Sequence, residues 1–336
     1  MKKFFDSNAL WLSMVIGALG YRYLLPLAPI LPWLIFFMLF FTFCKVNPLD
    51  LRLHKWHWVV LFVQIVLSLA AYIITLKLTH NHILAQGLLM CFIMPTATAA
   101  PIIAGKLGGS IQNLTTFTLL SNFATSILVP ILFPLVNKEF LVLYSFSHAF
   151  CLLLSRIAPL LLIPFFCAWL LRICYNAFQK SRHPELHKTF ELSPQLAQIP
   201  FYLWVASIIV LASVVTNTVI SNDQISMTNI LILLVCSFFA CLLQFALGKF
   251  IGYHLPAPSK GKDYQDVLIN PAAAPTTMAG VSSITAGQAF GQKNTSLGVW
   301  MANAFLDPMS SLGAAAYIIW QNLFNSLQLT IAAHKK

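Results

Sequence analysis

Ten apolar stretches, each about long enough to cross a bilayer, alternate with polar connections along this chain. A helix of about twenty apolar residues covers the hydrocarbon core of a membrane, so each stretch predicts a membrane-spanning helix. The residues 140–150 are expected to lie along the membrane interface before the sixth span. The predicted spans are 8–27, 29–46, 57–78, 83–112, 114–136, 150–174, 198–220, 228–254, 273–306 and 309–328. The pattern predicts an all-α polytopic membrane protein.

Two of these spans are interrupted by residues that do not suit the middle of a helix. The span 83–112 is expected to break near 96–98, and the span 273–306 near 291–294. Gly291 disfavours helix continuation, and Asn294 and Thr295 are good N-caps for the apolar helix that follows. Paired interruptions in corresponding halves of a chain indicate the binding site of a secondary transporter.

The order of the spans predicts two repeats of five helices each. Residues 1–138 form the first repeat, 139–197 hold the interfacial segment, sixth helix and cytoplasmic linker, and 198–336 complete the second repeat. Two polar connections are longer than the rest, at Tyr175–Leu192 and Pro256–Pro271. Because each half has an odd number of spans, the halves run in opposite directions, and the two broken helices are expected to cross near the midplane.

Composition and charge agree with a membrane protein whose two termini lie in the cytoplasm. Hydrophobic residues make up 59% of the chain and charged residues 9%, which excludes an ordinary soluble protein. Fifteen of the twenty basic residues fall on the side that holds both termini, whereas Arg22, Lys77 and Lys138 fall on the other. The fifteen are Lys2, Lys3, Lys45, Arg52, Lys55, Lys106, Arg172, Lys180, Arg182, Lys188, Lys249, Lys260, Lys262, Lys335 and Lys336. This positive-inside pattern predicts a multi-pass protein of the cell inner membrane. It also explains the net charge of +11 without nucleic-acid binding.

Lys293, near the middle of a predicted span, is the strongest candidate functional residue. A charge at membrane depth is costly unless it faces protein or water, which makes such a residue a functional-site hypothesis; the alternative is a lysine that snorkels to the interface. The helices that restart after the two breaks direct positive dipole ends at the crossing. We therefore expect an organic anion to bind there. The candidate substrate-binding residues are Thr96, Thr98, Ala99, Lys293, Asn294 and Thr295.

Four motifs resemble the bile acid:sodium symporter family. Met-Pro-Thr-Ala-Thr-Ala-Ala-Pro at 94–101 and Val-Pro-Ile-Leu-Phe-Pro at 129–134 resemble one signature element and the helix after it. Gly-Gln-Lys-Asn-Thr-Ser-Leu-Gly at 291–298 resembles a second element, and 318–322 resembles the family's closing aromatic-Asn turn. The resemblance implies core and panel domains like those of sodium/proton antiporters, and transport of bile acids or small organic acids.

The sequence departs from that family where its members bind sodium. The resemblance implies oxygen ligands at the positions of Ala100, Pro101, Leu114 and Ala289, none of which carries a side-chain oxygen. Gln64 and Thr118 keep polar groups and are candidate coupling-site residues together with Lys293, which replaces a family glutamine. We expect the lysine ammonium to take the place of a sodium ion, and transport to be independent of sodium.

Other functions remain open but have less support in the residues. The alternatives are a cation/proton antiporter and a sodium-coupled symporter of the same architecture, and either protons or sodium could serve as the coupling ion. An enzyme is not expected, since no paired intramembrane acids or Ser/His arrangement is present, and no cofactor or metal site is predicted. Arg156 either anchors an interfacial turn or contacts substrate. Asn122, Gln288 and Asn303 are expected to form interhelical hydrogen bonds, and the seven cysteines to be buried without disulfides.

Overall fold

The computed structural model describes residues 2–137, 142–182, 190, 192–193, 195–222, 226–257 and 277–334. These residues are almost entirely helical. The helices are α1 Lys2–Leu19, α2 Tyr21–Leu24, α3 Leu31–Phe43, α4 Lys55–Thr79, α5 His82–Ile93, α6 Ala100–Lys106, α7 Ile111–Val136, α8 Phe146–Arg182, α9 Ile199–Ile220, α10 Met227–His254, α11 Met278–Gly291, α12 Thr295–Phe305 and α13 Ser311–His334. Within the described residues the chain is therefore all-α.

Several helices are long and apolar enough to cross a membrane. Within the described ranges there are six such segments: Tyr21–Phe43, Lys55–Thr79, Ile111–Val136, Phe146–Gln179, Leu196–Ile220 and Met227–His254. Large apolar side chains such as Phe62, Phe239 and Phe250 are more than half exposed on them. Water would disfavour so many exposed apolar groups, whereas lipid accepts them. These helices are typical of a membrane-embedded protein.

The first two predicted spans meet at a different place from the one expected. The helix α1 ends at Leu19 and α2 begins at Tyr21, so the chain turns at Gly20 and not near Ala28. Pro26 and Pro29, which flank the predicted boundary, lie in a 3-10 segment, Leu25–Ile30, that leads directly into α3. Proline is tolerated in the first turn of a helix because the N–H group that it lacks has no partner there.

The helix α8 is longer than the predicted sixth span at both ends. It begins at Phe146, so residues 146–150 belong to the helix and not to a separate interfacial segment. It continues to Arg182, so the first part of the Tyr175–Leu192 connection is helical as well. Residues 138–141 and 183–189 lie outside the described residues, as does most of the predicted Pro256–Pro271 connection.

The chain divides into two compact units, each built from both halves of the sequence. The first unit comprises Met1–Leu49 and Ser126–Ser221, and the second comprises Asp50–Thr125 and Asn222–Lys336. In the first unit, Arg172 of α8 donates hydrogen bonds to the carbonyl oxygens of Cys44 and Phe190. The second unit contains both interrupted segments and is the unit in which the candidate site lies.

Two glycines let α10 and α11 pack with their backbones in contact. A Cβ atom on Gly248 would lie 2.4 Å from the carbonyl oxygen of Ala286, and one on Gly252 would lie 2.1 Å from that of Ser282. The glycines are four positions apart, so they share one face of α10, and small residues of α11 lie opposite. Such small-residue contacts are a common means of packing helices in membranes, where the hydrophobic effect does not drive association.

Candidate functional site

The first interruption is caused by Pro95. Proline lacks an N–H group and disfavours the helical conformation of the residue before it. Accordingly, α5 ends at Ile93, and Met94 has φ −51° and ψ 137°. Residues 94–99 form an irregular connection, and the short helix α6 begins at Ala100 with Pro101 in its first turn.

The second interruption lies between Gly291 and Thr295. Gln292 is extended, with φ −92° and ψ 114°, and the side chain of Asn294 caps α12 by accepting the N–H of Leu297 at 3.2 Å. Gly291 does not have a positive φ. A Cβ atom there would lie 2.3 Å from the ring of Phe245, so glycine is required for close packing and not for an unusual backbone conformation.

The two interruptions lie side by side and pair like short antiparallel strands. Thr96 lies opposite Lys293, with the N–H of Ala97 donating to the oxygen of Gln292 at 3.0 Å. The N–H of Asn294 donates to the oxygen of Pro95 at 2.7 Å. The N–H groups of Ala97 and Asn294, which have no helical partner, are therefore bonded to the other break, in keeping with the need of buried polar groups for partners.

The other edge of the second interruption is held by the side chain of Gln321 in α13. Its Oε1 accepts the Lys293 N–H at 2.9 Å, and its Nε2 donates to the Lys293 oxygen at 3.2 Å. One carboxamide thus binds both backbone groups of Lys293. The extended segment around Lys293 is fixed on both sides.

The side chain of Lys293 is fully buried, with 0% exposure. Its Nζ lies 4.9 Å from the centroid of the Phe290 ring. The side chains of Cys91 and Cys241 lie near it. Nζ has no hydrogen-bond partner among the described residues. Because Nζ is enclosed in this conformation, it can act on a ligand through its charge but not by direct contact.

Two helix C-termini lie beside this amine. Cys91 belongs to the last turn of α5, and Phe290 to the last turn of α11. The carbonyl groups at a helix C-terminus carry partial negative charge, which favours a cation nearby. The ring of Phe290 and the two helix ends therefore offset part of the cost of burying a positive charge here, but no carboxylate of the described residues pairs with Lys293.

Two glutamines and a tyrosine cap these C-termini. Gln64 Nε2 donates to the oxygens of Ile93 and Met94 at 3.3 and 3.1 Å. Gln244 Nε2 donates to the oxygen of Cys91 at 3.1 Å and to the Tyr317 hydroxyl at 3.0 Å. The Tyr317 hydroxyl in turn donates to the oxygen of Gly291 at 2.8 Å. These bonds stabilise the interrupted helices at the level of Lys293.

The positions at which the family resemblance implies sodium ligands are apolar and packed together. Ala100, Leu114 and Ala289 are each 0% exposed and belong to one hydrophobic cluster, which also contains Phe117 and Phe290. Sodium is bound by several oxygen atoms, as other hard cations are. These residues do not fit a sodium ion.

The predicted site residues are brought together only in part. Thr96 lies opposite Lys293 and is buried, whereas Thr98 is partly exposed and Ala99 is exposed. Asn294 and Thr295 are buried, and the Thr295 N–H donates to the oxygen of Lys293. The N–H groups at the start of α12 are therefore largely bonded within the protein. The open part of the crossing is at Thr98 and Ala99.

The remaining candidates have mainly structural contacts. The hydroxyl of Thr118 donates to the oxygen of Leu114 in its own helix. Asn122 likewise donates within its helix, to Thr118, and not between helices as expected. Gln288 does form an interhelical bond, to Gln328 Oε1 at 2.9 Å. Arg156 is exposed on α8, in the other unit.

Several residues around Lys293 were not predicted from the sequence. The stretch 318–322, expected to form a closing turn, lies inside α13 because nothing in it interrupts the helix. The sequence does contain a pattern that predicts a polar helix face here, namely the spacing of Tyr317, Gln321, Asn325 and Gln328. Intervals of four, four and three residues place these four polar side chains on one face of a helix.

Replacing Gln321 with leucine is expected to weaken the folded state. The change leaves the buried N–H and oxygen of Lys293 without partners on that side, and each unpaired group costs about 1 to 3 kcal/mol. The measurement is thermal unfolding of the purified protein in detergent. Asn322→Leu is the matched control, since Asn322 donates only to Ile318 in its own helix. Equal melting temperatures for the two variants would contradict this role of Gln321.

Comparison with known proteins adds no relative, since no family model matches the chain and no curated protein matches it either.

Proposed function

We propose that this chain is a secondary active transporter of an organic anion, either bile acid-like or a small carboxylate, that works by alternating access. The observation that carries the proposal is the unpaired amine of Lys293, buried where two interrupted helices meet. An ammonium in the protein interior without a counter-charge is costly. A bound carboxylate offsets that cost. Anion binding and protonation of Lys293 therefore favour each other.

The substrate is proposed to bind at the open face of the crossing, at Thr98 and Ala99. These residues directly precede α6 and have exposed surface, in contrast to Asn294 and Thr295. Lys293 acts from behind this face through its charge, which a low-dielectric interior screens weakly. Thr96 links the two elements, because it pairs with Lys293 and donates to the oxygen of Ala289 at 2.7 Å.

We propose that coupling does not use sodium. The positions of Ala100, Leu114 and Ala289 are filled by apolar packing, and the fixed amine of Lys293 supplies positive charge in place of an ion. Transport then follows one of two courses. Either the amine takes up a proton with each substrate, or it stays charged while one anion exchanges for another.

The architecture supports a place in the bile acid:sodium symporter family as a member without the usual sodium ligands. If α2 and α3 form one span and each interrupted pair forms another, the described helices correspond to the ten predicted spans. Each compact unit takes corresponding parts of the two halves of the chain, as inverted repeats would supply. On this proposal both termini lie in the cytoplasm, and the chain has no enzymatic activity.

The alternatives have less support. A cation/proton antiporter normally exchanges ions at an intramembrane carboxylate, and Lys293 pairs with none among the described residues. A sodium-coupled symporter would need oxygen ligands where the apolar cluster lies. Both alternative functions are compatible with two interrupted helices that meet side by side.

Thermal stabilisation by a panel of carboxylates tests the proposal. One or more acids should raise the melting temperature of the purified protein to the same extent in sodium and in choline. At a concentration of 100 Kd the stabilisation would be about 2.7 kcal/mol. The neutral amide of the same acid is the control and should have no effect. Stabilisation that appears only with sodium would favour the sodium-coupled alternative.

A further inference from the structure

From Tyr317 onward, the face of α13 directed into the protein carries four polar side chains, and large apolar side chains are exposed on its outer face. Tyr317, Gln321, Asn325 and Gln328 share the inner face, and we call them the polar strip. Leu323, Leu327 and Ile331 are 45%, 56% and 49% exposed on the outer face. A helix embedded only among apolar neighbours would not need this reversed distribution. A polar inner face is typical of membrane helices that line a water-accessible route.

The polar strip begins beside the backbone of Lys293. Tyr317 caps the end of α11, two residues before Lys293, and Gln321 binds the Lys293 backbone. From Tyr317 to Gln328 the helix rises roughly 16 Å, about half the thickness of the hydrocarbon core. Gln328 is only partly buried. The strip therefore reaches from the level of Lys293 most of the way to the C-terminal end of α13.

Amides of α11 and the second interruption extend the strip on its inner side. Gln288 Nε2 donates to Gln328 Oε1 at 2.9 Å, and Gln292 Nε2 donates to Gln288 Oε1. These carboxamides are uncharged over the whole pH range of a cell. They can both donate hydrogen bonds to water and accept them from it, and because they are uncharged they neither bind nor repel a passing proton strongly.

Structural bonding alone does not account for every polar atom in this region. Asn325 is 5% exposed, and its Oδ1 has no hydrogen-bond partner among the described residues. The Nζ of Lys293 also has no hydrogen-bond partner among the described residues. Buried polar groups left unsatisfied by the protein are the usual partners of internal water.

We propose that the polar strip carries water, and with it protons, between the C-terminal end of α13 and the amine of Lys293. A proton that arrives by this route adds to the neutral amine and gives the ammonium; it leaves by the reverse step. The titratable groups near the amine are Cys91 on α5 and Cys241 on α10, and neither of them is a carboxylate. That the proton is used to couple transport rests on the proposed function. The hydration of the strip, in contrast, can be measured without substrate.

Hydroxyl-radical footprinting of the full chain in lipid nanodiscs tests this route. Radicals formed from water modify side chains that contact water, and mass spectrometry reads the modified residue. Relative to the intrinsic reactivity of its side-chain type, Tyr317 should be labelled several-fold faster than Phe117, although both are 0% exposed in the protein. Phe117 is the reference because it lies in the apolar cluster.

Two variants show whether water reaches Tyr317 along the strip. Asn325→Leu and Gln328→Leu should each reduce the labelling of Tyr317 several-fold and leave that of Phe117 unchanged. Asn322→Leu is the matched control on another face of α13 and should have no effect. Labelling of Tyr317 no faster than that of Phe117 in the unaltered protein would overturn the proposal, as would an equal reduction by Asn322→Leu.

The footprinting result and the carboxylate stabilisation test the hydrated route and the transport function independently. If Tyr317 is labelled as expected but no carboxylate stabilises the protein, the hydrated route stands and the transport proposal fails. If carboxylates stabilise the protein but Tyr317 is protected, transport stands and the route is refuted.

Discussion

Replacing Gly252 with leucine should prevent most of the protein from reaching its folded state. A Cβ atom alone would lie 2.1 Å from the backbone oxygen of Ser282, and a backbone oxygen cannot turn away as a flexible side chain can. The helices α10 and α11 would have to separate along the face where their backbones now touch. Overpacking of cores costs about 1 to 3 kcal/mol, and this substitution should exceed that range. Fluorescence-detected size exclusion of the expressed protein measures the folded fraction.

Phe250→Ala provides a control on the same helix. Phe250 is 61% exposed and lies between the two packing glycines in sequence but not on their face. Surface substitutions typically change stability by about 0.5 kcal/mol or less, so this variant should elute and melt like the unaltered protein. Gly248→Ala should fall between the two, because its Cβ would lie 2.4 Å from the oxygen of Ala286. A fully folded Gly252→Leu variant would contradict the described packing.

The helices were predictable wherever a local cause determines their ends. Pro95 ends α5, and the polar run after Gly291 ends α11, because both effects act within a few residues of chain. The turn at Gly20 was not predicted, because the apolar stretch continues past it and the first span was expected to run to residue 27. The extension of α8 through polar residues to Arg182 was missed for a similar reason. Polarity marks the end of an apolar stretch, but polarity alone does not end a helix.

The candidate site was predictable in position but not in orientation. A lysine in an apolar span indicates a candidate functional site, and the paired breaks indicate that the two segments meet. A single sequence does not tell which way a side chain at the crossing points. Lys293 therefore appeared as a direct substrate ligand, whereas its amine lies against Phe290 and has no exposed surface. The capping of Cys91 by Gln244 depends on which helices are neighbours, and no local pattern encodes that.

The surroundings of Lys293 show a balance between stability and function. The amine is fixed by a backbone bonded on both edges, yet it lacks a hydrogen-bond partner among the described residues. A residue selected for stability alone would be apolar here, as its neighbours Ala289 and Phe290 are. Retaining a group that destabilises the folded state is typical of functional sites.

Replacing Lys293 with methionine is therefore expected to stabilise the protein and to impair anion binding. Methionine fills a similar volume and removes an unpaired buried polar group, a gain of about 1 to 3 kcal/mol. Loss of the charge should weaken carboxylate binding by about 2 kcal/mol or more, which is roughly thirtyfold. The melting temperature without ligand measures the first effect, and ligand-induced stabilisation measures the second. Lys249→Met, the same change at an exposed lysine of α10, should produce neither.

Lys293→Gln separates the charge of the lysine from the question of sodium. The variant should also lose anion binding, because glutamine carries no charge. It should not gain dependence on sodium, since Ala100, Pro101 and Ala289 still supply no side-chain oxygen. Uptake into proteoliposomes, with sodium replaced by choline, measures coupling directly. If the unaltered protein loses transport in choline, Lys293 does not stand in place of the ion, because a fixed ammonium would leave uptake independent of the external cation.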